Sequence, residues 1–242
     1  MLRVYYRVSD KGTKHGKPAY IAWEPCLRNF LRHFAPSETC ALHVVADNME
    51  DANFARLGEV LRGKGVAKVL RASLGNSESF VHILDRAVAG GRAADDDVAY
   101  FVEDDYLHRD GAMKVLFEGL RRADYVALYD HADKYMAPSP NPGVAGGGEP
   151  TKVILTRSTH WKYTNSTCMT FAGKVKTLRE DYAIMAWACS GAKPLDFAMW
   201  RRLASEKNRT LATPIPGYCT HGMSGYMSPL VDWEAIAKKT AP

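Results

Sequence analysis

Residues 98–106, VAYFVEDDY, decide the fold. Residues 98–102 are apolar or aromatic and predict a buried strand, which runs directly into Glu103, Asp104 and Asp105. Adjacent carboxylates repel one another and are costly to desolvate, so a compensating cation is expected. Mg²⁺ or Mn²⁺ is the simplest candidate, since such ions take oxygen ligands and share their coordination with substrate phosphates. Taken alone, the triplet is more typical of a solvated acidic turn, and its position in the fold decides between the two interpretations.

The chain on either side alternates between strand and helix patterns. Strands are predicted at 2–8, 41–46, 67–72, 98–102 and 125–129, and helices at 22–33, 51–62, 79–89 and 111–122. This alternation predicts an α/β fold with a mostly parallel sheet and helices on both faces. Ligands of such folds bind at the carboxyl ends of the strands. The acidic triplet closes the fourth strand, so it is expected at the ligand-binding edge.

The composition changes after residue 136. Residues 137–150, APSPNPGVAGGGEP, lack apolar periodicity and predict a mobile loop. Strands are then predicted at 152–156 and 168–172, and helices at 175–188 and 196–204. We expect one domain over 1–242, made of a first half (1–135), a flexible loop (136–150) and a smaller second half (151–242).

Composition narrows the class of protein. The 242 residues are 46% hydrophobic and 24% charged, which suits one globular α/β domain. The net charge of +5 is scattered rather than clustered, so a nucleic-acid partner is not expected. Five cysteines without a CxxC pair indicate neither a disulfide framework nor a zinc cluster, and they fit a reducing cytoplasm. The sequence predicts no transmembrane segment, so any action at a membrane is expected from its surface.

Several motifs together resemble the GT-A glycosyltransferases, which use nucleotide sugars. The acidic triplet looks like their DxD motif, although it begins with Glu. The similarity extends to YYRVSD (5–10), VADN (45–48), GNSESF (75–80), LYDHADKY (128–135), HWKYTNSTCMTF (160–171) and PGYCTHG (216–222). The chain is similar to bacterial polysaccharide-building transferases and to the N-terminal transferase domain of a chlorovirus glycosyltransferase. The resemblance implies a Rossmann-like GT-A fold whose first half binds the nucleotide sugar and whose second half binds the acceptor.

The resemblance also implies roles for individual residues. Contacts to the nucleotide are implied for Tyr6, Arg7, Asp47, Asn76 and Ser79. Within the triplet, Asp105 is implied as a direct metal ligand, and Glu103 or Asp104 as acting through water or the ribose, with Glu103 a further candidate ligand. His221 fits the late histidine that GT-A enzymes often use as a metal ligand, and an imidazole suits Mn²⁺ better than Mg²⁺. A surface or structural role for His221 stays open.

An inverting transferase needs a carboxylate that removes the proton of the acceptor hydroxyl. Asp196, in PLDFAMW (194–200), resembles the acid that opens the acceptor helix of such enzymes, and it also fits a simple N-cap. Asp181 is the alternative, although its helical pattern favours a solvated face. A retaining enzyme needs no such base, and the sequence leaves the stereochemistry of transfer open. Stacking on sugar rings is a weaker expectation for four aromatic residues: Trp161, Tyr163, Trp200 and Trp233.

The predicted function is transfer of a sugar from a UDP or dTDP sugar to a hydroxyl of a glycan or glycolipid. The chain could be one domain of a larger transferase. One alternative is a metal-dependent nucleotidyltransferase. Such enzymes normally have a Gly-rich, basic phosphate loop near the first strand, and Lys11-Gly12-Thr13-Lys14 resembles that loop only faintly. Another is a non-catalytic glycan-binding module, which has no need for an acidic triplet at a sheet edge.

Overall fold

The computed structural model describes residues 1–12, 16–89 and 93–239. Thr13 and Lys14 of the faint phosphate loop lie outside these residues. The strands are β1 (Leu2–Ser9), β2 (Cys40–Asp47), β3 (Lys68–Ala72), β4 (Val98–Glu103), β5 (Tyr106–His108), β6 (Tyr125–Val126), β7 (Val153–Leu155), β8 (His160–Tyr163), β9 (Phe171–Lys174), β10 (Leu211–Ile215) and β11 (Cys219–His221). The α-helices are α1 (Trp23–His33), α2 (Asp51–Leu61), α3 (Asn76–Val88), α4 (Ala112–Gly119), α5 (Val175–Ala188), α6 (Asp196–Lys207) and α7 (Trp233–Lys238).

Nine of the described strands form one sheet in the order β3-β2-β1-β4-β9-β6-β10-β8-β7. Strands β1 to β4 are parallel, whereas β9 runs against both β4 and β6, and β8 runs against β10 and β7. All sheet strands except β8 and β9 therefore share one direction, and the predicted mostly parallel sheet is confirmed.

The hydrophobic core lies on both faces of this sheet because side chains alternate along β1. Val4, Tyr6 and Val8 pack on the face covered by α1, together with Phe30. Tyr5 packs on the opposite face, in the cluster that contains Phe80 of α3. The prediction of helices on both faces is confirmed.

A second, two-stranded sheet brings the end of the chain to the acidic triplet. Strands β5 and β11 are antiparallel, and His221 lies opposite Tyr106, the residue after Asp105. The Gly222 amide donates to the Asp105 carbonyl oxygen at 2.8 Å. A Cβ on Gly222 would collide with the Ile21 side chain and come within 2.9 Å of that same carbonyl oxygen. Glycine at this position therefore permits the close approach of β11 to the triplet.

Some boundaries differ from the sequence prediction. The strand predicted at 168–172 begins at Phe171, because Thr170 turns its hydroxyl to Glu103. Helix α3 begins at Asn76, not Ser79, because the Ser79 amide already donates to the carbonyl of Gly75, whose φ is 95°. The pattern predicts no strand for β5, β8, β10 or β11, which have three to five residues each. Strands this short carry too little periodicity to be recognised.

The Pro/Gly-rich loop has no helix or strand over 137–150, as predicted. Its first part, residues 137–141, is nevertheless hydrogen-bonded to the rest of the domain. The Ser139 hydroxyl donates to the Asp133 carbonyl at 2.6 Å, and the buried Asn141 amide donates to Asn165 Oδ1 at 3.0 Å. Within the described residues, no helix is both long and apolar enough to cross a bilayer.

Candidate active site

The first acid of the triplet forms a partly buried ion pair. Arg7 and Glu103 are register partners on β1 and β4, and Arg7 Nη2 donates to Glu103 Oε1 at 2.9 Å. The Thr170 hydroxyl lies 3.3 Å from Glu103 Oε2. Burial raises the pKa of Glu103, and the Arg7 charge opposes this shift. Both carboxylate oxygens thus have partners in the protein.

Asp104 has a different environment. Its Oδ2 accepts a hydrogen bond from the Ser9 amide at 2.6 Å, which joins the ends of β4 and β1. Burial and the adjacent Asp105 charge raise the pKa of Asp104 to about 7. A carboxyl group in this state is poised to change protonation when a cation or a ligand arrives.

Asp105 is the charged centre of the site. Its Oδ2 lies 2.8 Å from Lys17 Nζ and 3.0 Å from His221 Nε2. Burial alone would raise the pKa of Asp105, but His221 and Lys17 outweigh it and hold that pKa well below its usual range. Burial likewise opposes protonation of His221, yet the Asp105 carboxylate raises the pKa of the imidazole. The structure therefore brings together two of the three residues predicted as metal ligands, Asp105 and His221.

These residues can offer a divalent ion two protein ligands, one carboxylate and one imidazole. Among the described residues, no group of three or more His, Cys, Asp and Glu side chains is placed to hold a metal ion. Glu103, predicted as a further ligand, faces Arg7 instead. A pair of protein ligands still fits Mg²⁺ or Mn²⁺, because these ions commonly complete their coordination with substrate phosphates and water. Lys17 must release or share Asp105 when such an ion binds.

Four of the residues predicted to contact the nucleotide lie at the carboxyl ends of β1 and β2 and in the first turn of α3. Arg7 Nη1 donates to the Asn76 carbonyl at 2.8 Å and lies 3.0 Å from the Ser79 hydroxyl. Asp47 accepts the amides of Leu74 and Gly75 at 2.6 and 2.8 Å, so its carboxylate shapes the turn before α3.

Tyr6 is placed differently from the prediction. It is fully buried in the core, and its ring lies 5.2 Å from that of Phe30. Alternation along β1 turns Tyr6 to the face opposite Arg7, so it is a core residue rather than a nucleotide contact.

Two adjoining cavities meet at the site. The first, of about 600 Å³, is lined by Arg7, Asp47, Asn76, Ser79, the acidic triplet, Lys17 and Lys193, among others. The second, of about 480 Å³, is lined by residues that include His131, Asn141, Thr167, Phe197 and Tyr226. Four residues line both cavities: Cys168, Asp196, His221 and Met223. Each cavity has a volume typical of a small-molecule site.

Asp196 lies at this junction, where a group that acts between two substrates would be needed. It is the first residue of α6 and not its N-cap, which is Leu195. Its Oδ1 accepts the Phe197 amide at 2.7 Å. Burial raises the pKa of Asp196, and the Phe197 hydrogen bond only partly opposes this. A raised pKa makes a carboxylate a better proton acceptor.

Asp181, the alternative base, lies elsewhere. It is fully buried rather than solvated as its pattern predicts, and it accepts a hydrogen bond from the Tyr125 hydroxyl at 2.8 Å. Arg209 Nε lies 2.7 Å from the same carboxylate oxygen, Oδ2. This arrangement gives Asp181 a structural role that ties α5 to the sheet.

The second cavity contains groups suited to a sugar. Thr167 Oγ1 is buried and has no hydrogen-bond partner among the described residues, so it is free to bond a ligand hydroxyl. Trp161, Trp200 and Trp233, predicted as stacking candidates, are core residues. Phe197 and Tyr226 do line the cavity with their rings.

Three residues of the site have no signal in the sequence: Lys17, Thr170 and Asn141. Lys17 and Thr170 contact acids of the triplet across long sequence separations, and no local pattern marks such pairs. Asn141 lies within the Pro/Gly-rich segment, where turn-forming composition hides a buried polar residue.

The Arg7–Glu103 pair supports a stability prediction. Arg7→Met leaves a partly buried carboxylate unpaired, so we expect a loss of about 3 kcal/mol in the free energy of unfolding. Lys238→Met, which removes an exposed pair within α7, should cost much less, because water screens the two exposed charges. Urea unfolding followed by circular dichroism measures both. Equal losses would contradict a special role for the buried pair.

Comparisons with known proteins agree with this architecture. No protein-family model and no curated protein sequence matches the chain. Among solved structures, S. aureus TarS 1–349 is similar at a TM-score of 0.50 and 16% identity, over 93% of this chain and 59% of that one. The WbbM bifunctional glycosyltransferase is similar at a TM-score of 0.50 and 11% identity, over 83% of this chain and 36% of that one. A Francisella tularensis 2-C-methyl-D-erythritol 4-phosphate cytidylyltransferase is similar at a TM-score of 0.49 and 10% identity, over 99% of both chains.

The class of fold follows from the similarity to TarS and WbbM and from the order of strands in the sheet. The chain has the GT-A fold, the Rossmann-like α/β fold of nucleotide-sugar transferases. Identities this low establish the fold alone. The similarity to a chlorovirus transferase stays a prediction.

Proposed function

We propose that this chain is a glycosyltransferase that moves a sugar from a nucleoside diphosphate sugar, of the UDP or dTDP type, to a hydroxyl of a glycan or glycolipid. The observation that carries the proposal is the pair of adjoining cavities with Asp196 and His221 at their junction. A transferase must hold two substrates side by side, with the reacting atoms between them. One cavity contains the acidic triplet and cationic side chains, and the other contains hydroxyl, amide and aromatic groups.

The first cavity suits the donor. Lys17 and Lys193 can interact with phosphate oxygens, while Asn76 and Ser79 offer polar groups at the start of α3. A divalent ion at Asp105 and His221 would neutralise the negative charge that develops on the departing diphosphate. Arg7 keeps Glu103 and α3 in position through its hydrogen bonds.

The second cavity suits the acceptor. Thr167 can bond a sugar hydroxyl, and the rings of Phe197 and Tyr226 offer apolar faces. Asp196 accepts the proton of the attacking hydroxyl, and the hydroxyl oxygen displaces the diphosphate at the anomeric carbon. This single displacement inverts the anomeric configuration.

A nucleotidyltransferase is the second candidate function, since it also needs a nucleotide cavity and a metal site. Such an enzyme releases pyrophosphate from a nucleoside triphosphate, whereas the proposed enzyme releases a nucleoside diphosphate. A glycan-binding module would bind sugars without nucleotide. The three functions therefore differ in their products and ligands.

A donor-hydrolysis panel distinguishes these functions. We expect the chain to hydrolyse one or a few nucleotide sugars slowly in the presence of Mn²⁺, releasing UDP or dTDP, and to release no pyrophosphate from nucleoside triphosphates. Calorimetry should show UDP or dTDP binding that weakens when the metal is chelated. Pyrophosphate release without sugar release would overturn the proposal, as would an absence of nucleotide binding.

A further inference from the structure

A basic surface with exposed apolar side chains lies at the sheet edge formed by β7. We call it the β7 surface and define it by Lys114, Arg121, Arg122, Val153, Leu155 and Arg157. A groove of about 530 Å³ runs through it, between α4 and the end of β7, and is lined by all of these residues except Val153. It lies apart from the two cavities of the candidate active site.

The positive charge of this surface is largely uncompensated. Glu118 is the one acid among the described residues that line the groove. Its carboxylate is buried and accepts hydrogen bonds from the Thr156 and Ser158 hydroxyls at 2.6 and 2.7 Å. Lys114 lies 3.8 Å from Glu118, whereas none of Arg121, Arg122 and Arg157 forms an ion pair with any described residue. The three arginine charges therefore remain available to an external anion.

The apolar part of the surface comes from the edge strand itself. β7 is the last strand of the sheet, and it pairs with β8 on one side only. Ile154 packs inward against the core, while Val153 and Leu155 are 56% and 59% exposed. Exposed apolar residues on an edge strand invite association unless something covers them.

We propose that the β7 surface docks the protein on a membrane that contains anionic lipids. Arginine side chains pair with lipid phosphates, and exposed aliphatic side chains enter the region between headgroups and acyl chains. This combination favours a bilayer over a soluble polyanion, which would match the charges but leave Val153 and Leu155 in water. The proposal does not depend on the transfer reaction.

Vesicle flotation tests the charged part of the surface. We expect the protein to float with vesicles of phosphatidylcholine mixed with phosphatidylglycerol, not with phosphatidylcholine alone, and to be released by salt. Each neutralised arginine should weaken partitioning about fivefold, so Arg121→Gln with Arg157→Gln should weaken it about 25-fold. The matched control is Arg62→Gln with Lys64→Gln, which removes two exposed charges beside β3 at the opposite sheet edge.

A second pair of variants tests the apolar part. Val153→Thr with Leu155→Thr keeps residues that suit a strand but removes the side chains proposed to enter the bilayer, so partitioning should fall severalfold. The circular dichroism spectrum and the urea unfolding midpoint should be close to those of the wild-type protein in all these variants, which shows that they fold. Failure of the wild-type protein to bind anionic vesicles would overturn the proposal, as would an equal loss in the control pair. Unchanged vesicle binding by the threonine variants, with equal binding to heparin beads, would indicate a polyanion site instead.

Discussion

Replacing Asp105 by asparagine is expected to abolish sugar transfer and the metal dependence of nucleotide binding. Asp105 is the acid that meets both His221 and Lys17, at 3.0 and 2.8 Å. Asparagine keeps the size of the side chain but loses the charge that attracts a divalent ion. Loss of even a supporting residue around a metal typically costs about 10-fold to 100-fold in affinity or activity, so loss of this ligand should exceed about 100-fold.

The measurement is UDP or dTDP binding by calorimetry, with Mn²⁺ and with a chelator, alongside turnover of the donor found in the hydrolysis panel. Wild-type protein should bind more tightly with the metal, and Asp105→Asn should bind equally weakly in both conditions. Asp110→Asn removes an exposed carboxylate just beyond β5 and should behave as wild type. If Asp105→Asn keeps metal-dependent binding, Asp105 serves only to balance the charges of Lys17 and His221.

The acidic triplet illustrates which parts of a site can be predicted from sequence. A buried strand followed by carboxylates predicts an acidic edge, and the structure places all three acids there. The pattern does not say which acid faces which cation. Glu103 faces Arg7 because their strands are in register, and Asp105 meets His221 because β11 pairs with β5. Both outcomes depend on strand pairing between distant segments, which periodicity does not encode.

The secondary-structure elements also differ in how well the sequence predicts them. Helix α5 is predicted over its whole length, and β1 to β4 are predicted within about two residues, because each of these elements has a clear apolar period. The second half of the sheet is built from shorter strands that alternate in direction, and the pattern predicts only part of it. Tyr6 shows the limit within a correctly predicted strand, since a one-residue difference decides between the core and the site.

The position of Asp196 supports a second prediction of large effect. It lines both cavities, and burial raises the pKa of its carboxyl group. A base must be deprotonated to act, so kcat/KM should fall as the pH drops through this raised pKa. The acid limb of the pH profile should therefore lie above the ordinary aspartate value of about 4.

Asp196→Asn should reduce transfer by about 100-fold to 10,000-fold, which is the usual contribution of a general base, while leaving nucleotide affinity unchanged. Asparagine can still accept the Phe197 amide that Asp196 Oδ1 accepts at 2.7 Å. If this acid only supports the start of α6, the substitution should therefore change neither stability nor turnover. Steady-state kinetics across pH distinguish the two roles, since the variant should also lose the acid limb.

In contrast, Asp181→Asn breaks a buried pair with Arg209 and should lower the free energy of unfolding while the folded enzyme keeps its pH profile. An intact acid limb in Asp196→Asn, or its loss in Asp181→Asn, would move the role of the base away from Asp196.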